Sequence, residues 1–220
     1  MKISGIIAAG GTGSRLGIAG GKQLLELQGK PILVHTIEKV GPLVDELIVV
    51  VDPVYIERCQ ETLAKYAIQV KAIVPGGKTR ARSVYNGFIK TVNELVLIHD
   101  GARPFVSAED IKRTIAAAEK NGAAVLCVKV KDTIKQEESG HIKRTPDRKE
   151  LWAAQTPQVI KREWLAEAYE KLPDWEQVTD DVQLVEKLGK KVKIVEGSYN
   201  NIKITTKEDL LTAEAFLKEQ

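Results

Sequence analysis

Short runs of β-branched and other apolar residues alternate along the chain with longer stretches in which apolar residues recur at helical spacing. The runs predict buried strands, and the helical spacing predicts amphipathic helices. Pro53 and Ser107 stand where helix starts are expected, and Gly122 stands where a helix should end. We predict strands over 3–8, 46–51, 70–74, 95–99, 123–130 and 191–196, and helices over 31–39, 54–66, 79–90, 108–121 and 162–172.

This alternation predicts an α/β fold with a mostly parallel sheet and helices on both faces. Ligands of such sheets bind beyond the carboxyl ends of the strands. The segments expected at that edge are residues 9–22, 75–82, 100–104 and 200–203. Residues 131–150 break the alternation, because they are polar and carry a turn signal at Ser139-Gly140. They predict a hairpin arm that projects from a single domain spanning 1–220.

Composition narrows the class of protein. The 220 residues are 43% hydrophobic and 29% charged, as in ordinary globular domains. The net charge of +3 is spread along the chain, so we expect no nucleic-acid partner. No targeting segment or long apolar span is visible, so we expect a cytoplasmic protein without a membrane partner. Cys59 and Cys127 lack partners at metal-binding spacing, and we expect buried thiols.

The glycine-rich stretch 6–23, IIAAGGTGSRLGIAGGKQ, fits neither common phosphate-binding motif. Gly11 and Gly13 match a dinucleotide fingerprint, but Leu16 occupies its third glycine position. A P-loop would also need glycine at Leu16, and a hydroxyl residue where Gln23 stands. Hydride transfer and P-loop hydrolysis are therefore disfavoured.

Arg15 and Lys22 place positive charges at the two ends of this loop. Charges aimed at a reacting phosphate stabilise the transition state more than the ground state, although a surface turn with solvated cations is the alternative. Asp100 follows a buried strand in VLIHDGARP, and one carboxylate beside a nucleotide suits Mg²⁺. We expect Arg103 to support the Asp100 loop or to contact substrate. His99 is expected to be a hydrogen-bonded core residue.

Eight segments follow one another in chain order: AAGGTGSRLG…GKQ, VPGGKTRARSV, HDGARP, KDTIK, TPDR, LWAAQTPQ, TDD and NIKITT. Together they resemble the 2-C-methyl-D-erythritol 4-phosphate cytidylyltransferases of the non-mevalonate isoprenoid pathway. The resemblance implies a Rossmann-like nucleotidyltransferase fold, dependence on Mg²⁺ and a homodimer with crossed arms. It also implies transfer of a cytidylyl group from CTP to a sugar-alcohol phosphate, with release of pyrophosphate.

The resemblance also implies roles for individual residues. Arg15 and Lys22 would stabilise the reacting α-phosphate, and Arg148 and Lys203 would hold the attacking phosphate. Substrate contacts are implied for Thr133, Arg148, Lys203 and Arg103, and a metal contact for Asp100. Nucleotide contacts are implied for Ala8, Ala9, Gly10, Gly11, Gly13, Gly77, Ser83, Asp100 and Gly101.

Two other functions remain open at this point. A ribitol-5-phosphate cytidylyltransferase would share the glycine loop, QTPQ and NIK, although TPDRKELW fits the methylerythritol family better. A non-catalytic nucleotide-binding protein would share the fold, but binding alone would not need Arg15, Lys22, Asp100 and Lys203 together. Thr179 in VTDDVQLVEK is expected to cap the amino end of a helix.

Overall fold

The computed structural model describes residues 1–10 and 24–218. The strands of this part are β1 (Ile3–Ala9), β2 (Glu26–Leu27), β3 (Lys30–Pro31), β4 (Glu46–Val51), β5 (Ala72–Pro75), β6 (Leu95–Asp100), β7 (Ala123–Lys129), β8 (Gln136–Glu138), β9 (His141–Arg144), β10 (Trp152–Lys161) and β11 (Lys193–Glu196). The helices are α1 (Ile32–Val40), α2 (Ile56–Lys65), α3 (Arg80–Phe88), α4 (Ala108–Asn121), α5 (Arg162–Lys171), α6 (Val182–Lys187) and α7 (Lys207–Lys218).

Seven of these strands form the central sheet, in the order β11-β7-β10-β6-β1-β4-β5. The sheet is parallel except at β10, which runs antiparallel to both β6 and β7. The prediction of a mostly parallel α/β sheet is confirmed. Because β1, β4, β5 and β6 all point the same way, their carboxyl ends meet along one edge.

Apolar side chains cover both faces of this sheet. One core cluster joins alternate residues of the strands to α1, α2 and α4, with Leu33, Leu63 and Ile111 among its members. A second cluster joins the other strand residues to α3, α5 and α6, through Val84 and Leu165 among others. Successive strand side chains point to opposite faces, so a strand buried on both sides reads as a continuous apolar run. That is why the sequence predicted most of these strands.

Two of the predicted helix boundaries carry their expected caps. The Ser107 hydroxyl accepts a hydrogen bond from the Asp110 N–H at the start of α4, and Gly122 ends that helix with a φ of 88°. Pro53 opens a short 3-10 turn that precedes α2. The prediction for Thr179 is wrong, because α6 begins three residues later and Asp180 Oδ1 accepts the Gln183 N–H there.

Two of the longer elements, β10 and α7, were not predicted from the sequence. β10 lies in the middle of the sheet, yet it contains the polar run Gln155-Thr156-Pro157-Gln158. Proline and polar residues normally argue against a central strand. The strand accommodates them because its register shifts between Ala154 and Gln158, where its pairing with β7 is interrupted.

The hairpin predicted over 131–150 is present. β8 and β9 pair antiparallel, and the turn between them places Ser139 and Gly140 at φ values of 54° and 82°. Apart from half-buried Pro146, every residue from 131 to 150 is exposed. The arm therefore owes little of its shape to packing against its own domain. Within the described residues, no helix is long and apolar enough to cross a membrane.

Candidate active site

Two glycine-containing loops meet at the carboxyl edge of the sheet. A Cβ atom on Gly10, after β1, would lie 3.5 Å from the Cα atom of Gly76, after β5, and 3.0 Å from Ser83 Oγ. The Gly77 N–H donates to Ser83 Oγ at 3.0 Å, and Ser83 Oγ donates to the Thr79 carbonyl at 2.9 Å. Ser83 thus holds the loop after β5, and its proton is engaged within the protein. A Cβ atom at Gly76 would also lie 3.1 Å from Ser83 Oγ, so a side chain at either glycine would crowd this hydroxyl.

The ends of β1 and β6 lie side by side next to this junction. Ala8 pairs with Asp100 in the sheet register, and the Gly101 N–H donates to the Ala8 carbonyl at 2.9 Å. A Cβ atom on Gly101 would lie 3.0 Å from Ala9 Cβ, so the turn after β6 packs tightly on the end of β1. The structure therefore brings together predicted nucleotide-binding residues from three separate segments.

Asp100 is the centre of a cluster of charged side chains. Its Oδ1 atom lies 3.2 Å from Arg80 Nε, and its Oδ2 atom lies 3.3 Å from Arg103 Nε and 2.8 Å from Lys203 Nζ. Arg80 also reaches Asp181, with its Nη2 atom 2.7 Å from Asp181 Oδ2. Three cations thus surround two carboxylates. Around Asp100 itself three cations face one carboxylate, which favours an anionic ligand at this edge.

Burial and ion pairing act in opposite directions on these groups. Burial would raise the pKa of Asp100, but the charges of Arg80, Lys203 and Arg103 outweigh burial and hold that pKa far below its usual range. Asp181 has Arg80 as its cation, and burial raises the pKa of Asp181 in spite of it. Burial would lower the pKa of Arg80, but Asp181 and Asp100 raise it. Asp100 is therefore a carboxylate, and Arg80 a cation, at any pH near neutrality.

Lys203 lies on a segment that is tied to the Asp100 turn on both sides. Arg103 Nη1 donates to the Asn201 carbonyl at 2.7 Å, and the Ile204 N–H donates to the Ala102 carbonyl at 2.9 Å. These bonds join residues about a hundred positions apart in the chain. The prediction that Arg103 supports the Asp100 loop is confirmed by its contacts. Lys203, predicted at the ligand edge, is brought directly to Asp100.

His99 fixes the same turn through a directional chain of hydrogen bonds. His99 Nε2 lies 3.0 Å from the Arg103 carbonyl, which can only accept, so Nε2 carries the proton. His99 Nδ1 then accepts from the Thr156 hydroxyl, which in turn accepts from the Asp100 N–H, each at 3.0 Å. Burial lowers the pKa of His99 to about 4. His99 is the buried, hydrogen-bonded residue that the sequence predicted.

Arg80 and Asp181 were not predicted from the sequence as site residues. Both lie in segments that resemble the family, GGKTRARS and TDD, but neither has a predicted role. Three cationic residues, Lys78, Arg80 and Arg82, stand close together in the first segment. Arg82 instead pairs with Glu176 and lies over the Trp175 ring at 4.4 Å. Arg80 and Arg82 point in different directions because they occupy different positions around α3. Which of them faces Asp100 depends on the residue at which the helix begins, and Thr79 caps it there.

The predicted arm residues lie apart from this cluster. The Arg148 guanidinium donates to the Lys131 carbonyl at 2.6 Å, across the base of the arm, and Thr133 is exposed. Within residues 1–10 and 24–218, no hydrogen bond or ion pair joins Arg148 or Thr133 to Asp100. The fold of one chain therefore assembles part of the predicted site and leaves the arm residues separate. Gly11, Gly13, Arg15 and Lys22 lie outside the described residues.

The described part of the chain contains no group of three or more His, Cys, Asp or Glu side chains placed to hold a metal ion. Among the described residues, two cations donate to Asp100 Oδ2 and one donates to Oδ1, so no described group fills the second acceptor position of Oδ1. Mg²⁺ commonly uses one or two carboxylates together with substrate phosphates and water. Asp100 would thus offer Mg²⁺ a single ligand, and the phosphates of CTP would have to supply the negative charge that balances the ion beside three cations.

Comparison with known proteins identifies the class. A family model described as 2-C-methyl-D-erythritol 4-phosphate cytidylyltransferase matches residues 3–219. The chain belongs to this family of cytidylyltransferases.

Individual relatives agree with the family match. Proteins of that name from Desulforamulus reducens and Caldanaerobacter subterraneus subsp. tengcongensis are 45% and 46% identical to this chain. The alignments cover 99% and 100% of this chain, and 97% and 100% of the relatives.

Solved structures show the same similarity. The 4-diphosphocytidyl-2C-methyl-D-erythritol synthase of Anaerococcus prevotii has a TM-score of 0.86 at 37% identity, with 99% of this chain and 98% of that chain covered. The 2-C-methyl-D-erythritol 4-phosphate cytidylyltransferase of Thermus thermophilus has a TM-score of 0.80 at 33% identity, covering 99% and 100%. The resemblance found in the sequence is confirmed.

Proposed function

We propose that this protein transfers the cytidylyl group of CTP to 2-C-methyl-D-erythritol 4-phosphate, giving 4-diphosphocytidyl-2-C-methyl-D-erythritol and pyrophosphate. The observation that carries the proposal is the cluster of cations around Asp100, at the carboxyl edge of the sheet. The family match, which spans residues 3–219, supports it. Such an edge suits two anionic substrates, a triphosphate and a phosphate monoester.

The reaction needs no general base. A phosphate monoester has a second pKa of about 6, so one of its oxygens is already a nucleophile near neutral pH. In-line attack of that oxygen on the α-phosphorus of CTP forms the new P–O bond, and pyrophosphate leaves with the electrons of the bond that breaks. Catalysis then consists of positioning the two phosphates and stabilising the charge that grows on the oxygens. This accounts for a site built from cations.

We assign the cations by their segments. Lys203, beside Asp100, and Arg148, on the arm, hold the attacking phosphate, while Arg103 stays paired with Asp100. Arg15 and Lys22, in the glycine loop, stabilise the charge on the α-phosphate. An arginine can bind two phosphate oxygens through its planar guanidinium group, whereas a lysine supplies one compact charge. The arginine and the lysine of each pair are therefore not interchangeable.

We propose that main-chain groups read the base of CTP. Ala8 and Ala9 end β1, Gly10 follows it, and Gly77 follows β5 beside Ser83. Cytosine presents an amino donor where uracil presents an oxygen acceptor, so a backbone carbonyl distinguishes the two. Ser83 orders this strip, because its hydroxyl already bridges Gly77 and Thr79. A preference for CTP over UTP follows, and similar kcat/KM values for the two nucleotides would contradict this assignment.

We propose that Asp100 Oδ1 contributes one ligand to Mg²⁺. When bound, Mg²⁺ neutralises charge on the phosphates of CTP and orients them. Asp100 can take this part because Arg80 and Arg103 hold its carboxylate in place.

We further propose a homodimer with crossed arms. Thr133 and Arg148 lie on an exposed arm that makes no bond to the Asp100 cluster within the described residues. The arm exposes apolar surface, including Ile142 at 66% and Ile134 at 40% of the full accessible area. A second copy that covers this surface would order the arm and bring Arg148 to the neighbouring Asp100 edge. The cytoplasmic location expected from the sequence stays a prediction.

Purified protein should be tested with CTP, Mg²⁺ and each of two alcohol phosphates in separate reactions. We expect pyrophosphate release and the cytidine diphosphate product with 2-C-methyl-D-erythritol 4-phosphate. Faster reaction with ribitol 5-phosphate would replace the proposed substrate. Nucleotide binding without pyrophosphate release from either compound would indicate a non-catalytic protein.

A further inference from the structure

The three cations around Asp100 differ in how firmly the protein holds them. Arg80 binds two carboxylates, and Arg103 binds Asp100 and the Asn201 carbonyl. The ion pair of Lys203 within the described residues is to Asp100 alone. The Lys203 side chain also keeps 35% of its accessible surface, against 12% for Arg103. Lys203 is therefore the cation that can leave Asp100 with the smallest change elsewhere.

Leaving Asp100 is what the proposed function requires of Lys203. Its ammonium group, 2.8 Å from Asp100 Oδ2 in this structure, has to face the attacking phosphate of the substrate. Asp100 is only 7% exposed, and a buried carboxylate that loses its cations is strongly destabilised. The movement is favourable only if other cations stay on Asp100.

Arg80 is held at Asp100 by a second ion pair. Its Nε atom binds Asp100 and its Nη2 atom binds Asp181, which is 1% exposed, so the guanidinium is anchored at both ends of its fork. Asp181 is fixed in turn, because its N–H donates to the Gln158 side chain in β10 at 2.8 Å. The anchor therefore reaches from the Asp100 edge to the start of α6.

We propose that Arg80 is a positioning residue. Held in place by Asp181, it balances the negative charge of Asp100, so that Lys203 is free to bind the phosphate of the alcohol phosphate substrate. Arg80 touches no reacting atom in this account. Without it, Asp100 has two cations left, and moving Lys203 to the substrate would leave one. Substrate phosphate and Asp100 would then compete for Lys203. This inference rests on the proposed function, because it takes Lys203 to be the phosphate ligand.

The test compares Arg80→Gln and Arg80→Lys with Arg113→Gln, the control. Arg113 pairs with Asp110 on α4 and carries no role in the proposed site. In Arg80→Gln we expect the KM for the alcohol phosphate to rise about tenfold or more and kcat to fall, with the KM for CTP changed by less than about twofold. In Arg80→Lys we expect little recovery, because one ammonium does not bridge both carboxylates. The control should keep wild-type constants.

The double variant Arg80→Lys/Asp181→Asn makes the test specific. Removing the charge of Asp181 leaves the new lysine a single carboxylate to serve, so the KM for the alcohol phosphate should fall back toward the wild-type value. Thermal melting checks that each protein is folded. Should Arg80→Gln fail to fold, Arg80→Lys replaces it, with an expected rise of at least about threefold in the same KM.

The outcomes separate the inference from the proposed function. If wild-type protein forms no product from either alcohol phosphate, the proposed function has failed. If wild type is active but folded Arg80 and Asp181 variants lose kcat with both KM values unchanged, then Arg80 merely supports the fold and the inference is overturned. A selective rise in the KM for the alcohol phosphate, reversed in the double variant, supports it.

Discussion

The Asp100 edge and the arm over 131–150 carry the same kinds of residue, yet the chain organises them in opposite ways. At the edge, Asp100 has three cations within 3.3 Å and is buried between strands. On the arm, Arg148 is exposed and its guanidinium binds the Lys131 carbonyl. The edge is preorganised by its own domain, whereas under the crossed-arm proposal a second copy would position the arm. A charged residue of a site can therefore be fixed by its own domain, as Asp100 is, or lie exposed, as Arg148 does. Measurements of folding stability should distinguish the two kinds of residue.

The largest expected difference concerns Asp100→Asn. Removing its charge leaves Arg80 and Arg103 in a partly buried cluster without a full counter-charge, so the free energy of unfolding should fall by about 3 kcal/mol. The matched arm variant Asp147→Asn should change it by less than about 0.5 kcal/mol, because Asp147 is exposed. Urea denaturation measures both. Equal losses in the two variants would contradict the distinction between edge and arm.

On the arm, Arg148→Ala should reduce activity strongly and stability very little. We expect kcat/KM for the alcohol phosphate to fall about a hundredfold, because the substitution removes a positive charge that binds the attacking phosphate. The free energy of unfolding should stay within about 0.5 kcal/mol of wild type. Arg144→Ala is the control, since Arg144 is an arm arginine that binds Gln136. An equally inactive Arg144→Ala protein would mean that the whole arm, and not Arg148, matters.

Alkaline pH should affect the sheet interior and leave the arm unchanged. Burial raises the pKa of the Cys127 thiol, in β7 just before the arm, from 9.0 to about 11. Above pH 9 the unfolded chain loses this proton and the folded chain keeps it, so stability is lost as the pH rises from about 9 to 11. A two-unit shift corresponds to about 2–3 kcal/mol by pH 11.

Cys127→Ala should reduce that alkaline slope. Two other buried groups should provide the part of the slope that remains. They are Cys59, whose pKa burial raises to about 11, and the Tyr169 hydroxyl, whose pKa burial also raises. Denaturant titrations at a series of pH values measure the slope independently of any constant loss caused by the smaller side chain. An unchanged slope in the Cys127→Ala protein would show that this thiol is not protected by the sheet.

The smallest effect is expected from Ile142→Lys, on the outer surface of the arm. If a second copy covers Ile142, the added charge should raise the dimer dissociation constant about tenfold, with the unfolding of the domain itself unchanged. Sedimentation at a series of protein concentrations measures this constant. Wild-type protein that stays monomeric at all concentrations would remove the crossed-arm proposal.

The sequence predicted the parallel strands and most helices because apolar periodicity records which faces are buried. It failed at β10 because the polar residues there are buried by specific bonds. Gln158 Oε1, for example, accepts the N–H groups of Asp181 and Val182. Bonds to partners more than twenty residues away leave no periodic signal in a single sequence.

The candidate site was predictable where a residue type and its place at a strand end coincide, as for Asp100. Lys203 lies beyond the end of β11 at Glu196, and its role was implied by the family resemblance. Arg80 was not, because its partners Asp100 and Asp181 are brought together only by the folded sheet and the start of α6. The arm was recognisable from its polar composition and its Ser139-Gly140 turn. Its partner could be inferred only through the family resemblance, since the contacts of one chain leave Thr133 and Arg148 outside the cluster.

The central claim is that one protomer's Asp100 edge and its partner's arm form each site, and a mixing experiment tests it most directly. Lys203→Ala and Arg148→Ala proteins, each nearly inactive, are unfolded together and refolded, with subunit exchange confirmed by a tag. In a crossed-arm heterodimer one site receives both substitutions and the other receives neither. Random pairing makes half of the dimers mixed, so activity should recover to about a quarter of wild type. If exchange is complete and no activity returns, each arm serves its own subunit and the claim is contradicted.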